Sequence, residues 1–175
     1  MKSIRTFSVL FFTATAVIAS LRLEKGFGLF LVRVKTTFSA AHRLCQAGLT
    51  DAQNFELYGQ CSNPNGHGHN YDLEVAVAGQ IESKTGMVIN FYELTRLVNE
   101  LIHDKVDHRN LNTDVDFMAG LVPTAENMAL KFWEVLEPHI NEGELFSISV
   151  GERGNNIITY YGPHVTAGKL AAAGV

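Results

Sequence analysis

Two histidines placed two residues apart constrain the fold of this chain more than any other feature. His67 and His69 begin a segment of alternating sequence, and in an extended strand residues i and i+2 point to the same face. A third histidine, His42, closes another strand-like segment. If these two strands pair antiparallel, three imidazoles converge as in a catalytic zinc site, which keeps a fourth position open. The alternative is a solvated glycine-rich turn with incidental histidines.

Hydrophobic periodicity predicts four strands and two helices around this feature. The predicted strands are 31–39, 71–78, 146–150 and 157–161, and the predicted helices run from Asn90 to about Asp104 and from Thr124 to the residue before Pro138. The segment 45–66 is predicted to be a loop, because Gly, Asn, Asp and Pro are frequent in it. The order ββααββ indicates an α+β domain, an antiparallel four-stranded sheet with two helices on one face. The other face must contact something else, such as another subunit.

Composition limits the class of protein. The chain has 175 residues, of which 46% are hydrophobic and 18% charged, and this suits one globular domain with a core. A net charge of -4 provides no basic surface, so we expect no nucleic-acid partner. Two cysteines, Cys45 and Cys61, do not make a disulfide framework, and we expect free thiols.

The N-terminal extension allows several interpretations. Lys2 and Arg5 precede an apolar run over residues 7–21, which is typical of a secretory signal, and the lack of acidic residues before Glu24 suits a mitochondrial presequence. An alternative start or an untargeted extension would look the same. We predict a cytoplasmic protein without stable membrane association, with a mitochondrial or secretory leader in residues 1–20 as the alternative. The chain then divides into an extension (1–30), a domain (31–162) and a tail (163–175).

Cys61 and the pair Asp107-His108 carry side chains suited to proton transfer. A divalent cation near Cys61 would lower the pKa of its thiol, and the thiolate would then be a general base. The alternative for Cys61 is a small buried apolar side chain. Asp107 can fix the tautomer of His108 and raise its basicity. Otherwise, His108 only complements the C-terminal dipole of the preceding helix.

Two further residues are suited to binding. Glu152, at the end of the predicted third strand, can accept two parallel N–H bonds from a planar heterocycle. The alternative is a solvated turn residue. Thr124 is most simply interpreted as the N-cap of the second helix.

Six motifs together resemble the 6-pyruvoyl-tetrahydropterin synthase family. They are FSAAHRL, GQCSNPNGHGHNY, TGMVIN, VDHRNLN, PTAEN and GERGNNI, in that order over residues 32 to 162. The resemblance implies the tunnelling fold, in which three sheets join into a barrel and two trimers stack into a homohexamer with active sites between subunits. It also implies zinc-dependent conversion of 7,8-dihydroneopterin triphosphate into 6-pyruvoyl-tetrahydropterin with elimination of triphosphate, a lyase step of tetrahydrobiopterin biosynthesis.

The same resemblance implies a role for each candidate residue. It makes His42, His67 and His69 the zinc ligands, Cys61 the catalytic thiol, Asp107 and His108 its partners in proton transfer, Glu152 the anchor of the pterin ring, and Thr124 a part of the pterin pocket. Ala125 departs from the family, because animal members often carry a second hydroxyl residue there. The extension 1–30 is outside the usual core of the family, and residues 31–162 are the expected pterin synthase domain.

Three alternatives remain at the level of sequence. A 6-carboxy-tetrahydropterin synthase of the queuosine pathway would share the histidines, the Asp-His pair and the glutamate. The five residues between Cys61 and His67 favour the pyruvoyl-forming branch, and Cys61 argues against a branch that uses glutamate instead. A non-catalytic pterin- or metal-binding module is disfavoured by the complete set of polar residues. A simple three-histidine zinc hydrolase would have no use for Glu152.

Overall fold

A mixed sheet of five strands forms the frame of the computed structural model, which describes residues 29–152 and 154–163. The strands are β1 (Phe30–His42), β2 (His67–Gly79), β3 (Arg109–Asn110), β4 (Glu144–Glu152) and β5 (Asn156–Tyr160), in the sheet order β3-β1-β2-β4-β5. The predicted leader and the predicted tail beyond Pro163 lie outside the described residues.

Four of the five strands pair antiparallel, which confirms the predicted sheet. The strand that was not predicted is β3, which pairs parallel with β1 through only two residues. A strand of this length is too short to produce an alternating pattern, so the sequence did not reveal it.

The pairing of β1 with β2 places the histidines. Thirteen residue pairs run from Phe30 opposite Gly79 to His42 opposite His67 without a register shift. Both strands are longer than predicted. The alternation of β1 continues past Ser39 through small residues, and β2 begins at His67, four residues before the predicted start at Tyr71.

The predicted loop 45–66 is wrong over part of its length, because it contains helix α1 (Asp51–Tyr58) and a 3-10 turn (Gly59–Ser62). Helix α1 begins with a capping box, in which Thr50 and Gln53 exchange side-chain to backbone hydrogen bonds. The helix buries Asn54 and exposes Phe55 and Leu57. It therefore has no apolar stripe from which periodicity could have identified it.

The two predicted helices are present and cover one face of the sheet. Helix α2 (Phe91–Val98) continues through a π turn (Asn99–His103) into α3 (Asp104–Val106), and α4 spans Ala125–Leu136. Their buried side chains are Leu94, Leu97, Val98, Ile102, Met128, Ala129, Phe132, Trp133 and Leu136, which pack on Phe38, Leu73, Val75, Ile148 and Val150 of the sheet. Asn90 caps α2 and Thr124 caps α4, as predicted.

The opposite face of the sheet is polar. Glu74 forms ion pairs there with Arg33 at 3.2 Å and Lys35 at 2.8 Å. The metal-ligand candidates lie on the helix-covered face, at the end of β1 and the beginning of β2. None of the helices in the described ranges has the length and apolarity that a membrane crossing requires.

Candidate metal centre

Three histidines and one cysteine meet where β1 ends and β2 begins. Nε2 of His67 lies 3.2 Å from Nε2 of His42 and 2.8 Å from Nε2 of His69. Together with Sγ of Cys61, one ligand atom from each of the four residues lies within 4.8 Å of all the others. Three imidazoles presented through the same ring atom form a donor set that suits a divalent cation such as zinc or copper.

Two glycines allow the histidine strands to come this close. Gly66 has a φ of +66°, and a Cβ atom there would lie 3.0 Å from the carbonyl oxygen of His42. A Cβ atom at Gly68 would lie 3.3 Å from the carbonyl oxygen of Ala40. Glycine at both positions therefore permits the close approach of the two backbones.

His42 is held in the orientation of a metal ligand. Its side chain is 1% exposed, and its Nδ1 atom lies 3.0 Å from the carbonyl oxygen of Pro123, to which the ring N–H donates. This hydrogen bond fixes the tautomer that leaves the Nε2 lone pair for a metal. Burial lowers the pKa of His42, and this effect is larger than that of the hydrogen bond to Pro123, which raises the pKa. The net shift favours the neutral ring that metal binding requires.

The turn that carries Cys61 is tied to the residues after His42. The N–H of Leu44 donates to the carbonyl oxygen of Cys61 at 2.7 Å, and Nε of Arg43 donates to that of Ser62 at 2.9 Å. The thiol is therefore held beside the histidines by β1 itself. Cys45 and Cys61 are not joined by a disulfide, as predicted.

A cleft of about 400 Å³ opens next to this group. Its lining includes Cys61, His67, His69, Glu152 and Asn156. Glu152 ends β4 directly opposite Tyr71 of β2, on the face that carries the histidines. A ligand in this cleft could therefore contact both the metal group and a carboxylate.

His108, which is hydrogen-bonded to Asp107, lines a neighbouring cleft of about 560 Å³, and this cleft shares Gly68 and His69 with the first. One carboxylate oxygen of Asp107 accepts the N–H of Ser39 at 2.8 Å, and the other lies 2.8 Å from Nδ1 of His108. The hydrogen bond from Ser39, followed by that from His108, holds the pKa of Asp107 below its usual value. The side chain of His108 is 82% exposed.

Comparison with known proteins decides the family. The sequence model of 6-pyruvoyl tetrahydropterin synthase matches residues 31–163. The chain belongs to the 6-pyruvoyl tetrahydropterin synthase family. It is 44% identical to the 6-pyruvoyl tetrahydrobiopterin synthase of Homo sapiens over 128 residues, which are 73% of this chain and 88% of the human protein. The Drosophila melanogaster protein of the same name is 42% identical over 136 residues, 77% of this chain and 80% of the fly protein.

A solved structure supports the same assignment. The 6-pyruvoyl tetrahydropterin synthase of Caenorhabditis elegans superposes with a TM-score of 0.72 at 39% identity, over 77% of this chain and 96% of the nematode chain. The family predicted from the motifs and the α+β fold of the subunit are thus confirmed.

The structure groups the predicted site residues unequally. One cleft is lined by His67, His69, Cys61 and Glu152, and His42 is buried next to His67. The neighbouring cleft is lined by His108, which is hydrogen-bonded to Asp107. The hydroxyl of Thr124 accepts the N–H of Asn127 at 3.3 Å, which is the hydrogen bond of a helix cap. The predicted pterin contact of Thr124 remains a prediction.

Sequence reasoning missed Tyr71, which lies between the metal group and Glu152. It is fully buried, and its hydroxyl oxygen lies 3.3 Å from Nδ1 of His42. Burial raises the pKa of Tyr71, and the charge of Glu152 raises it further. Tyr71 stands two residues after His69, so the alternation that linked His67 to His69 could also have placed it on this face.

Proposed function

We propose that this protein is a metal-dependent 6-pyruvoyl-tetrahydropterin synthase. It would convert 7,8-dihydroneopterin triphosphate into 6-pyruvoyl-tetrahydropterin, with loss of triphosphate, in tetrahydrobiopterin biosynthesis. The observation that carries the proposal is the meeting of three histidine Nε2 atoms, a thiol and a carboxylate around one cleft. The relatives of the same name, at 42% and 44% identity over most of their length, support it.

Zinc is the proposed metal, and the residues fit it. Zn–N bonds of about 2.0 Å hold two tetrahedral ligand nitrogens about 3.3 Å apart. The Nε2 separations of 3.2 and 2.8 Å are close to that value. His42, His67 and His69 would hold the ion, which when bound would polarise the hydroxyl groups of the pterin side chain as a Lewis acid. Elimination and tautomerisation conserve electrons overall, so the reaction needs no redox cofactor.

Cys61 is the proposed general base. Its thiol lies beside the histidine group, where positive charge would favour the thiolate. The thiolate would remove a carbon-bound proton from the side chain of the substrate. Glu152, at the other end of the same cleft, would accept N–H bonds from the pterin ring and set the distance between ring and thiol.

Asp107 and His108 are the proposed second proton-transfer group, and they imply an oligomer. His108 lies in the neighbouring cleft and is largely exposed. A second copy of the chain at this surface would bring one subunit's His108 to another subunit's substrate. We therefore infer active sites at subunit interfaces and, by family analogy, a homohexamer built as a dimer of trimers. Joining the sheets into a barrel would also cover their open edges.

The deciding experiment is a metal-dependent assay. The zinc-loaded chain, supplied with 7,8-dihydroneopterin triphosphate, should release triphosphate and form 6-pyruvoyl-tetrahydropterin, identified by mass spectrometry. A 6-carboxy product would instead assign the chain to the queuosine-type branch. Pterin binding without turnover would indicate a non-catalytic module, and the absence of pterin binding would favour a three-histidine hydrolase.

Cys61→Ala tests the proposed base. The variant should keep its zinc, because three histidines remain, and should lose most turnover, about 10²-fold or more. Cys45→Ala is the matched control, since it removes the other thiol of the chain. Full turnover by Cys61→Ala would remove this residue from the mechanism.

The proposed location is the cytoplasm. A leader within residues 1–20 would change it, and N-terminal sequencing of the mature protein from its native cells decides between the two. A mature chain that begins after residue 20 would contradict the cytoplasmic proposal.

A further inference from the structure

A buried tyrosine hydroxyl joins the metal group to the carboxylate of the cleft. Tyr71 is 0% exposed, and its ring stacks on Phe38 with centroids 4.9 Å apart. Core packing thus fixes the ring and, with it, the position of the hydroxyl. A hydroxyl buried without a hydrogen-bond partner is costly, so its partners indicate what it does.

Those partners are His42 and Glu152. The hydroxyl oxygen lies 3.3 Å from Nδ1 of His42, whose N–H is closer to Pro123, at 3.0 Å. Tyr71 and Glu152 are directly opposite each other on β2 and β4, so their side chains are neighbours on the same face of the sheet. An ionised carboxylate can only accept, and a phenol is protonated at neutral pH. The tyrosine oxygen therefore faces the ring N–H of His42, and the carboxylate of Glu152, on the neighbouring strand, is an acceptor for its O–H.

A hydrogen bond from Tyr71 would restrict the carboxylate of Glu152 before any ligand binds. A carboxylate held by one fixed donor loses less conformational freedom when it binds a ligand, and its remaining lone pairs point in defined directions. The same hydroxyl contacts the ring of His42 on the side away from its Nε2 atom. One rigid ring in the core, that of Tyr71, would thereby position both the proposed anchor Glu152 and the metal ligand His42.

We propose that Tyr71 is a positioning residue, whose hydroxyl orients the Glu152 carboxylate toward the pterin ring and sets its place relative to the metal centre. The inference rests on the proposed function, because the binding of a pterin by Glu152 is part of that function. It adds a residue that acts through Glu152 and does not itself contact the substrate.

Tyr71→Phe tests the inference, because it removes one oxygen atom and keeps the ring stacked on Phe38. The probe is neopterin, a stable pterin with a trihydroxypropyl side chain, titrated by fluorescence against the zinc-loaded chain. We expect the Kd to rise about tenfold, the loss of a hydrogen bond to a charged group. The KM for 7,8-dihydroneopterin triphosphate should rise by a similar factor. Bound zinc should stay at the wild-type level, since His42 keeps its bond to Pro123.

Two further variants separate positioning from a general structural effect. Tyr160→Phe makes the same atomic change on β5, where the ring packs edge-to-face on Trp133, and should bind neopterin as the wild type does. In the background of Glu152→Gln, the additional change Tyr71→Phe should raise the Kd by less than twofold, because Tyr71 acts through the carboxylate that is already lost.

The outcomes distinguish this inference from the proposed function. A wild-type chain that neither binds neopterin nor converts 7,8-dihydroneopterin triphosphate overturns the proposed function. If the wild type is active and Tyr71→Phe has an unchanged neopterin Kd, only the inference is overturned. It is also overturned if Tyr71→Phe loses zinc, or if the effects of Tyr71→Phe and Glu152→Gln multiply in full.

Discussion

The two histidine regions that adjoin Gly68 are built in opposite ways. His42 is 1% exposed and takes its position from the ladder between β1 and β2 and from the carbonyl of Pro123. His108 is 82% exposed and projects from a connection between short elements. The first region brings its functional groups together within one chain, whereas the second exposes one imidazole at the surface. This difference suggests that metal binding and proton transfer depend on different levels of assembly.

The backbone of the exposed region supports this interpretation. His108 has a φ of +57°, and it is the only non-glycine residue in the described ranges with a positive φ. Such a conformation costs about 1–3 kcal/mol and persists only where neighbours enforce it. Ser39 does so on both sides, by accepting the N–H of His108 at 2.6 Å and by donating to Asp107 at 2.8 Å. A strained residue with an exposed imidazole indicates a functional orientation.

The largest effect should come from the buried region. In His69→Ala one of three converging Nε2 atoms is lost, so the variant should purify without stoichiometric zinc and turn over at least about 10³-fold more slowly. Metal analysis and steady-state assays measure both. His139→Ala is the control, since that ring lies 3.1 Å from the carbonyl oxygen of Val135 at the end of α4, outside the metal group. Wild-type zinc content in His69→Ala would contradict the assignment of the metal centre.

A smaller effect is expected from the exposed region. His108→Ala should keep its zinc and lose about 10²- to 10³-fold in kcat, the usual contribution of one general acid–base group. The KM should change much less, because Glu152, the proposed pterin anchor, is unchanged. His103→Ala, which changes another histidine beside an aspartate, serves as the control.

Mixing variants tests whether the two regions meet between subunits. Oligomers refolded from a mixture of Cys61→Ala and His108→Ala chains should regain activity that neither parent shows, because some interfaces then combine an intact thiol with an intact imidazole. Single-variant oligomers refolded in parallel give the baseline. A mixture that assembles and stays inactive would place both groups in one chain's site and remove the contrast between the regions.

Acidification should destabilise the protein through Asp107, which belongs to the exposed region. The pKa of Asp107 is lowered in the fold, so its ionised form stabilises the protein fully above the unfolded value of about 3.9. That contribution is lost as the pH falls through the lowered pKa. The difference in Tm between wild type and Asp107→Asn should be constant from about pH 5 to 8 and should shrink below about pH 4. Asp104→Asn, an exposed carboxylate nearby, should show a smaller difference.

The buried region could be predicted from the sequence because it obeys a periodic rule. The spacing of His67 and His69, with His42 at the end of another strand, was sufficient to propose pairing and a shared ion. The antiparallel ladder confirms the pairing, and the ligand atoms that it brings within 4.8 Å of one another fit a shared ion. The exposed region follows no such rule. The sequence places Asp107 beside His108. It contains no pattern that predicts the positive φ of His108 or the parallel pairing of β3.

Helix α1 shows the same limit in the fold. Its buried residue is Asn54, whose amide donates to the carbonyls of Leu49 and Thr50 and whose oxygen accepts the N–H of Gln46. Polar side chains that support a loop through specific hydrogen bonds leave no hydrophobic period. Such an element can be predicted only when its hydrogen-bond partners in the fold are known. The main helices, in contrast, are predicted from their apolar stripes.

The smallest expected effect concerns Arg43, which ties the Cys61 turn to the buried region. Its Nε atom donates to the carbonyl of Ser62, and its guanidinium forms a 2.6 Å ion pair with Asp51. Arg43→Gln should lower the free energy of unfolding by about 1–2 kcal/mol and reduce kcat a few-fold, because the bond from Leu44 to Cys61 remains. Asp51→Asn removes only the exposed ion pair and should cost less than about 1 kcal/mol. Denaturant unfolding and kcat compare the two variants. Equal effects would mean that Arg43 acts only through the ion pair and that β1 alone holds the thiol beside its histidines.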